Sequence, residues 1–223
     1  MDTLTQETHL RLMRAVASEM ATAKGVYVLK GGTALMFTRG LDRFSTDLDY
    51  DGAKRLSLVG ALKTGAGRAG VTVSEVEILK DSDVMQTYRM RYVAAKDVIQ
   101  SLLVETRIRE IDFAETEKTK DGLLVYKPHK QLAQKLEAAA DRGNRAPRDL
   151  YDIAFLVEKY PEAAVANAEK LKAFASNPDL LLHIYSSTWR YDEILGEKPL
   201  ESVILGLMES MEKALKQEIS IRK

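Results

Sequence analysis

Apolar and polar positions along this chain change period near residue 122. Ahead of that point, Leu10, Met13, Ala17 and Met20 recur at helical spacing within residues 5–24 and predict an amphipathic helix. It leads into residues 26–29, an apolar run of strand length, after which residues 33–38 can begin a second helix. Residues 55–68 read as a further helix ending among Gly65, Gly67 and Gly70, and residues 71–79 alternate as a strand does. Two more strands are predicted over residues 87–95 and 101–113, the latter open to interruption. After Asp121-Gly122, a turn pair, residues 128–140, 147–160, 162–175 and 200–216 all carry helical periodicity, punctuated at Pro147, Pro161 and Asn177-Pro178. The pattern therefore predicts an α/β (α+β) lobe over residues 1–122, a mixed sheet flanked by helices, followed by a helical bundle lobe over residues 123–223. A cleft between lobes is the expected place for a substrate. Strand order is not legible at this level, and the chain shows no internal repeat.

Composition narrows the chemistry. At 223 residues and 45% hydrophobic content the chain can bury a substantial core. It has no cysteine, which removes disulfides, thiolate metal sites and a thiol nucleophile, and fits a reducing compartment. No apolar run approaches a membrane span and the amino end lacks the basic and apolar regions of a signal peptide, so a cytoplasmic location is expected. Lys plus Arg and Asp plus Glu both number 33, leaving no net field to attract a polyanion. Any such attraction must be local. One segment qualifies: over residues 127–148, Lys127, Lys130, Lys135, Arg142, Arg145 and Arg148 are opposed only by Glu137 and Asp141. A solvated helix and loop, or a polyanion site, would both have this composition.

The candidate chemistry lies near the amino end. Lys30-Gly31-Gly32-Thr33-Ala34-Leu35 follows the first strand, and Ser45-Thr46-Asp47-Leu48-Asp49-Tyr50 comes shortly after. Gly31 and Gly32 permit a tight turn, and the first amides of the helix behind it would face anionic phosphate. If the Asp segment is extended, Asp47 and Asp49 leave one face and Leu48 points to the core. Two carboxylates held that close repel each other unless cations offset them, and Mg2+ would do so while also gripping phosphate oxygens. A site for a metal-bound nucleoside triphosphate follows. Gly31, Gly32 and Thr33 would hold phosphates through amides and the Thr33 hydroxyl, Asp47 and Asp49 would bind Mg2+, and Arg43 and Ser45 would contact the triphosphate. A plain strand-to-helix turn, an exposed acidic strand end and a surface cation are the structural alternatives. His9, His129 and His183 are scattered and read as incidental. Tyr185, Trp189 and Tyr191 could stack a base, with bundle packing the favoured role.

These motifs resemble the nucleotidyltransferase superfamily fingerprint, a Gly-Gly turn followed by Asp-x-Asp on a strand. With Gly-Gly-Thr-Ala-Leu, Arg43, Ser45 and Asp-Leu-Asp, the stretch looks more specifically like the AbiEii/MenT nucleotidyltransferase toxins. A second block, Lys135-Leu136, Asp141-Arg142 and Arg148-Asp149-Leu150-Tyr151-Asp152-Ile153, is similar to that family's downstream motifs. The resemblance implies a Mg2+-dependent enzyme that moves an NMP from an NTP to an acceptor hydroxyl. RNA, and the 3′ end of tRNA above all, is the implied acceptor, and a separately encoded antitoxin is the implied partner. It further implies that Lys135 contacts triphosphate, that Asp152, or else Asp149, serves as base or metal ligand, and that Arg142 and Arg148 bind substrate. A third metal carboxylate on a neighbouring strand would be Glu105, with Asp112 the alternative. An acidic start to a helix would equally explain Asp149 and Asp152. An aminoglycoside-type or protein nucleotidyltransferase, or a degenerate module that binds nucleotide without turnover, are the rival readings.

Overall fold

The computed structural model describes residues 2–94, 98–143, 146–195 and 197–221, with residues 217–221 as backbone. The chain divides into two compact units, Met1–Gly40 with Phe44–Tyr126, and Leu41–Arg43 with Lys127–Lys223.

The first unit runs α1 (Thr3–Thr22), β1 (Tyr27–Lys30), α2 (Gly31–Thr38), β2 (Leu48–Gly52), α3 (Val59–Arg68), β3 (Val73–Asp81), β4 (Met85–Val93), β5 (Ile99–Ile108), β6 (Thr116–Lys118) and β7 (Leu124–Tyr126). Among the described residues its seven strands form one mixed sheet in the order β3-β4-β5-β2-β1-β7-β6. β1 pairs antiparallel with β2 and parallel with β7, and β2 pairs parallel with β5. α1 begins where Asp2 caps it, accepting from the Thr5 amide at 2.8 Å. Its buried stripe is Thr5, His9, Leu12, Met13, Val16, Ala17 and Met20. That stripe shares a core with Leu48 and Tyr50 of β2, Leu62 and Ala66 of α3, Tyr88, Met90 and Tyr92 of β4, and Leu102 and Val104 of β5.

Several elements depart from the sequence expectation. α3 starts at Val59 rather than residue 55, and Arg55, ahead of it, makes a two-point ion pair with Asp81 at 2.7 and 2.9 Å. The strand expected over residues 101–113 stops at Ile108, and Asp112 caps a short 3-10 turn at Phe113–Glu115 by accepting from the Ala114 amide at 2.9 Å. β6 and β7 were not foreseen. The strand expected to reach residue 95 is described to Val93, residues 95–97 lying outside the described ones.

The second unit holds α4 (Pro128–Asp141), α5 (Pro147–Lys159), α6 (Pro161–Ala166), α7 (Ala168–Phe174), α8 (Pro178–Trp189) and α9 (Leu200–Ile221). Prolines occupy the first turns of α4, α5, α6 and α8, where the missing N–H costs no helical bond. The single helix expected over residues 162–175 is two, divided at Asn167, whose side-chain amide donates to the carbonyls of His129 and Ala163 at 2.9 Å each. α8 is an addition to the expected set. α5 packs between α4 and α9 through Leu150, Ile153, Leu156 and Val157, all fully buried. Asp149 and Asp152 lie on that same buried stripe, which an unpaired carboxylate could not occupy cheaply. Among the described residues no helix is long and apolar enough to cross a membrane.

Candidate active site

In the first unit the site is built where β1 hands over to α2 beside β2. Lys30 stands opposite Asp49 in the β1–β2 ladder, so Gly31 follows immediately beside the Asp49 side chain. Gly31 has φ +71°, and a Cβ there would lie 2.8 Å from Asp49 Oδ2. The residue is glycine for two reasons at once: a left-handed backbone and a carboxylate where its side chain would be. α2 has Lys30 at its N-cap with no side-chain cap, which leaves its first amides, those of Gly31 and Gly32 among them, without that partner.

β2 alternates as the sequence suggested. Leu48 and Tyr50 are buried in the core, Asp47 is exposed just ahead of the strand, and Asp49 is half-buried. Thr33 does not present its hydroxyl to solvent. It is buried, donates to the Asp47 carbonyl and shares a 2.9 Å hydrogen bond with Ser45 Oγ, tying the Asp-bearing loop to α2.

Glu105 of β5 stands in register with Asp49 on the neighbouring parallel strand, on the same face, with Arg107 Nε 3.4 Å from its carboxylate. Asp112 serves instead as the cap of the 3-10 turn. Among the described residues no three His, Cys, Asp or Glu side chains converge into a ready metal cage. Asp47 and Asp49 do offer the hard oxygen donors that suit Mg2+, which characteristically takes one or two carboxylates and completes its shell with water and substrate phosphate. A side chain at position 31 would press on Asp49 Oδ2, so glycine there leaves the carboxylate its observed position. The residues present fit the ion.

Two features of this unit were missed in the sequence. His9 is fully buried, with Nε2 2.8 Å from the Thr46 carbonyl and Nδ1 2.5 Å from the Tyr92 hydroxyl. Burial pulls its pKa below the usual range, against the opposing influence of that carbonyl and of the Asp47 charge. Asp51, on the same face of β2 as Asp49, is fully buried and held by Lys30 Nζ at 2.6 Å, the Tyr126 hydroxyl at 2.8 Å and Arg109 Nε at 3.5 Å. Its partners come from β1, β7 and the end of β5, spacings that no local pattern announces.

The second unit gathers most of the downstream motif into one network. Both oxygens of Asp152 receive the Arg43 guanidinium, at 2.7 and 2.6 Å, and Lys135 Nζ lies 2.7 Å from Oδ2. Lys135 reaches Asp149 at 3.1 Å, and Arg142 closes the chain onto Asp149 at 2.8 Å. Three cations thus enclose two buried carboxylates, leaving one positive charge in excess. Burial alone would raise the Asp152 carboxyl, but Lys135 and Arg43 hold it below the usual carboxylate range. Burial likewise opposes the charge on Lys135, and Asp152 and Asp149 outweigh it and hold its ammonium above the usual range. Beside this network Asp42 accepts from Lys198 at 2.8 Å and from the Tyr151 hydroxyl at 2.5 Å. Arg148 is drawn to Asp192 at 2.8 Å. Arg145 lies outside the described residues. Of the aromatic cluster, Tyr185 and Trp189 are packed in the bundle, with Trp189 Nε1 donating to the Lys198 carbonyl at 2.8 Å, while Tyr191 is 77% exposed.

Comparison with known proteins finds both a matching family and similar solved structures. A family model described as the nucleotidyl transferase AbiEii toxin of a type IV toxin–antitoxin system matches residues 11–220. A crystal structure of a candidate nucleotidyltransferase from H. pylori is 30% identical, with TM-score 0.87 and 99% of each chain covered. JHP933 from Helicobacter pylori is 31% identical, with TM-score 0.84 and coverage of 97% of this chain and 96% of that one. MenT4, a nucleotidyltransferase toxin from Mycobacterium tuberculosis, shares the fold at 16% identity and TM-score 0.53, over 96% of this chain and 86% of its own. A search of curated proteins finds no match.

Proposed function

This chain belongs to the AbiEii nucleotidyl transferase toxin family and is a nucleotidyltransferase, and we propose that it transfers an NMP from an NTP to RNA, with the 3′ end of tRNA as acceptor. A type IV toxin–antitoxin family implies an NTP substrate and an antitoxin partner. Action on tRNA in the cytoplasm, with Mg2+, is our extension.

The observation that carries the reading is that Asp49 Oδ2 stands 2.8 Å from where a Cβ at Gly31 would be, at a start of α2 that has no side-chain cap. Phosphate bound by the Gly31 and Gly32 amides would lie next to a carboxylate, an arrangement that is repulsive without a cation and favourable with one. Asp47 and Asp49 would hold Mg2+, which would neutralise charge at the phosphates and lower the pKa of the attacking hydroxyl. The acceptor hydroxyl gives its proton to solvent and its oxygen bonds to the α-phosphorus as the bond from that phosphorus to the α–β bridging oxygen breaks, releasing pyrophosphate. Thr33 and Ser45 keep the Asp47 loop in place. Glu105, beside Asp49, adds negative charge to the same sheet face.

Lys135 is our candidate for a fixed triphosphate cation, since its ammonium is kept charged by Asp149 and Asp152. Full engagement of Asp152 by Arg43 and Lys135 supports an anchoring role over proton acceptance, and gives Arg43 the same role. Arg142, more than half exposed, and the flanking Lys127, Lys130 and Arg148 are candidate contacts for RNA phosphates.

The test is incubation of the protein with Mg2+, each α-labelled NTP in turn and total tRNA, followed by a denaturing gel. Label should enter RNA from a preferred NTP and vanish in Asp47→Ala. Full activity in Asp47→Ala would remove the metal site. Label in a small molecule or in protein would redirect the acceptor, and none anywhere would indicate a module without turnover.

A further inference from the structure

We propose that His9, which no motif includes, is a positioning residue that sets the direction of the Asp47 carboxylate through the backbone. The argument rests on the metal reading of Asp47 given above. The β1–β2 ladder ends at Lys30 opposite Asp49, and β2 itself begins at Leu48, so Asp47 lies just ahead of the strand. Side chains reach the peptides on both sides of it. His9 Nε2 lies 2.8 Å from the carbonyl of Thr46, the peptide that precedes Asp47, and the Thr33 hydroxyl donates at 2.5 Å to the carbonyl of Asp47 itself. Both peptide planes flanking the Asp47 α-carbon are therefore fixed, one from α1 and the other from α2. Fixing both planes sets φ and ψ of Asp47, and with them the direction of its Cα–Cβ bond.

The tautomer follows from the partners. A peptide carbonyl only accepts, so Nε2 carries the proton and donates it, and Nδ1 accepts from the Tyr92 hydroxyl at 2.5 Å. Tyr92 is fully buried and locks that assignment from β4. Phe44, with its ring centroid 6.0 Å from that of His9, packs against the imidazole. Outer partners that orient a metal ligand tune metal affinity about 10–100-fold, and His9 orients Asp47 through the peptide that precedes it.

The experiment measures Mn2+ binding to the full chain by electron paramagnetic resonance, without nucleotide or acceptor. His9→Gln keeps a donor near the Nε2 position, whereas His9→Asn puts its amide at the Nδ1 position and cannot reach Thr46. Binding should weaken about 10-fold or more in His9→Asn and stay within about 3-fold in His9→Gln. Tyr92→Phe, which removes the Nδ1 partner that holds the ring against the Thr46 carbonyl, should weaken binding more than about 3-fold with the imidazole intact. It carries the test if His9→Asn does not fold. Equal binding in the Asn and Gln variants, or wild-type binding in Tyr92→Phe, overturns the proposal, provided Asp47→Ala has lost Mn2+. If Asp47→Ala binds Mn2+ as tightly as wild type, the metal reading of the site fails and His9 loses this role with it.

Discussion

A methyl group at position 31 would meet the Asp49 carboxylate at 2.8 Å, whereas at Gly122 it would meet nothing nearer than Lys118 Cε at 3.8 Å. Both glycines have positive φ, +71° and +82°, so alanine at either should cost about 1–2 kcal/mol in backbone strain. Only Gly31→Ala also displaces a proposed metal ligand. We expect both variants to lose similar stability in denaturant unfolding and Gly31→Ala alone to lose nucleotidyl transfer. Comparable activity in the two would mean that the approach of Gly31 to Asp49 has no part in the chemistry. At this scale the sequence was informative where placement is local: Gly31 and Asp49 lie within one strand–helix–strand unit and meet there. His9 and Asp51 were illegible, since their partners Tyr92 and Tyr126 lie 83 and 75 residues away. The Thr33 hydroxyl, expected to face phosphate, is instead buried and donates to the Asp47 carbonyl.

Among elements, α1 and α3 approach so closely that a Cβ at Gly65 would stand 2.8 Å from Val16 Cα, which is backbone and cannot swing aside. Gly67, two residues further along α3, has nothing within 4 Å of the same point. Gly65→Ala should therefore destabilise by about 1–3 kcal/mol through overpacking. Gly67→Ala, in an exposed helical position, should stabilise by about 0.5–1 kcal/mol. Denaturant midpoints moving in the same direction for both variants would refute the close helix contact. From sequence both were only glycines near a helix end, because space around a residue is a tertiary property. The same limit explains the strands. β4 and β5 each span at least nine residues and show their period, whereas β6 and β7 have three residues apiece, too few for alternation to be counted. Proline placed α4 and α5 accurately because it acts locally, while the break at Asn167 depends on the distant His129 carbonyl.

For the molecule as a whole, the second unit is not a continuous stretch of chain: Leu41–Arg43 belongs to it, 84 residues before Lys127 resumes it at the nearer end. Arg43 supplies two of the bonds to Asp152, a carboxylate with no exposure to solvent, so a fragment of residues 127–223 would leave that charge with Lys135 alone. Removing one member of such a buried group costs about 3–5 kcal/mol. In the intact chain Arg43→Ala should produce that loss in denaturant unfolding near neutral pH. The pH dependence identifies the cause. Asp152 has a folded pKa below its unfolded one, so its contribution is fully present above the unfolded value, about 3.9, and is lost as pH falls through the folded value. Once Asp152 is protonated, Arg43 has no anion to stabilise there. The gap between wild type and Arg43→Ala should therefore narrow as pH falls below about 4 and stay level between there and neutrality. A gap that is the same at acid pH and at neutral pH would mean that Arg43 acts by packing, and that charge does not hold Leu41–Arg43 in the helical unit.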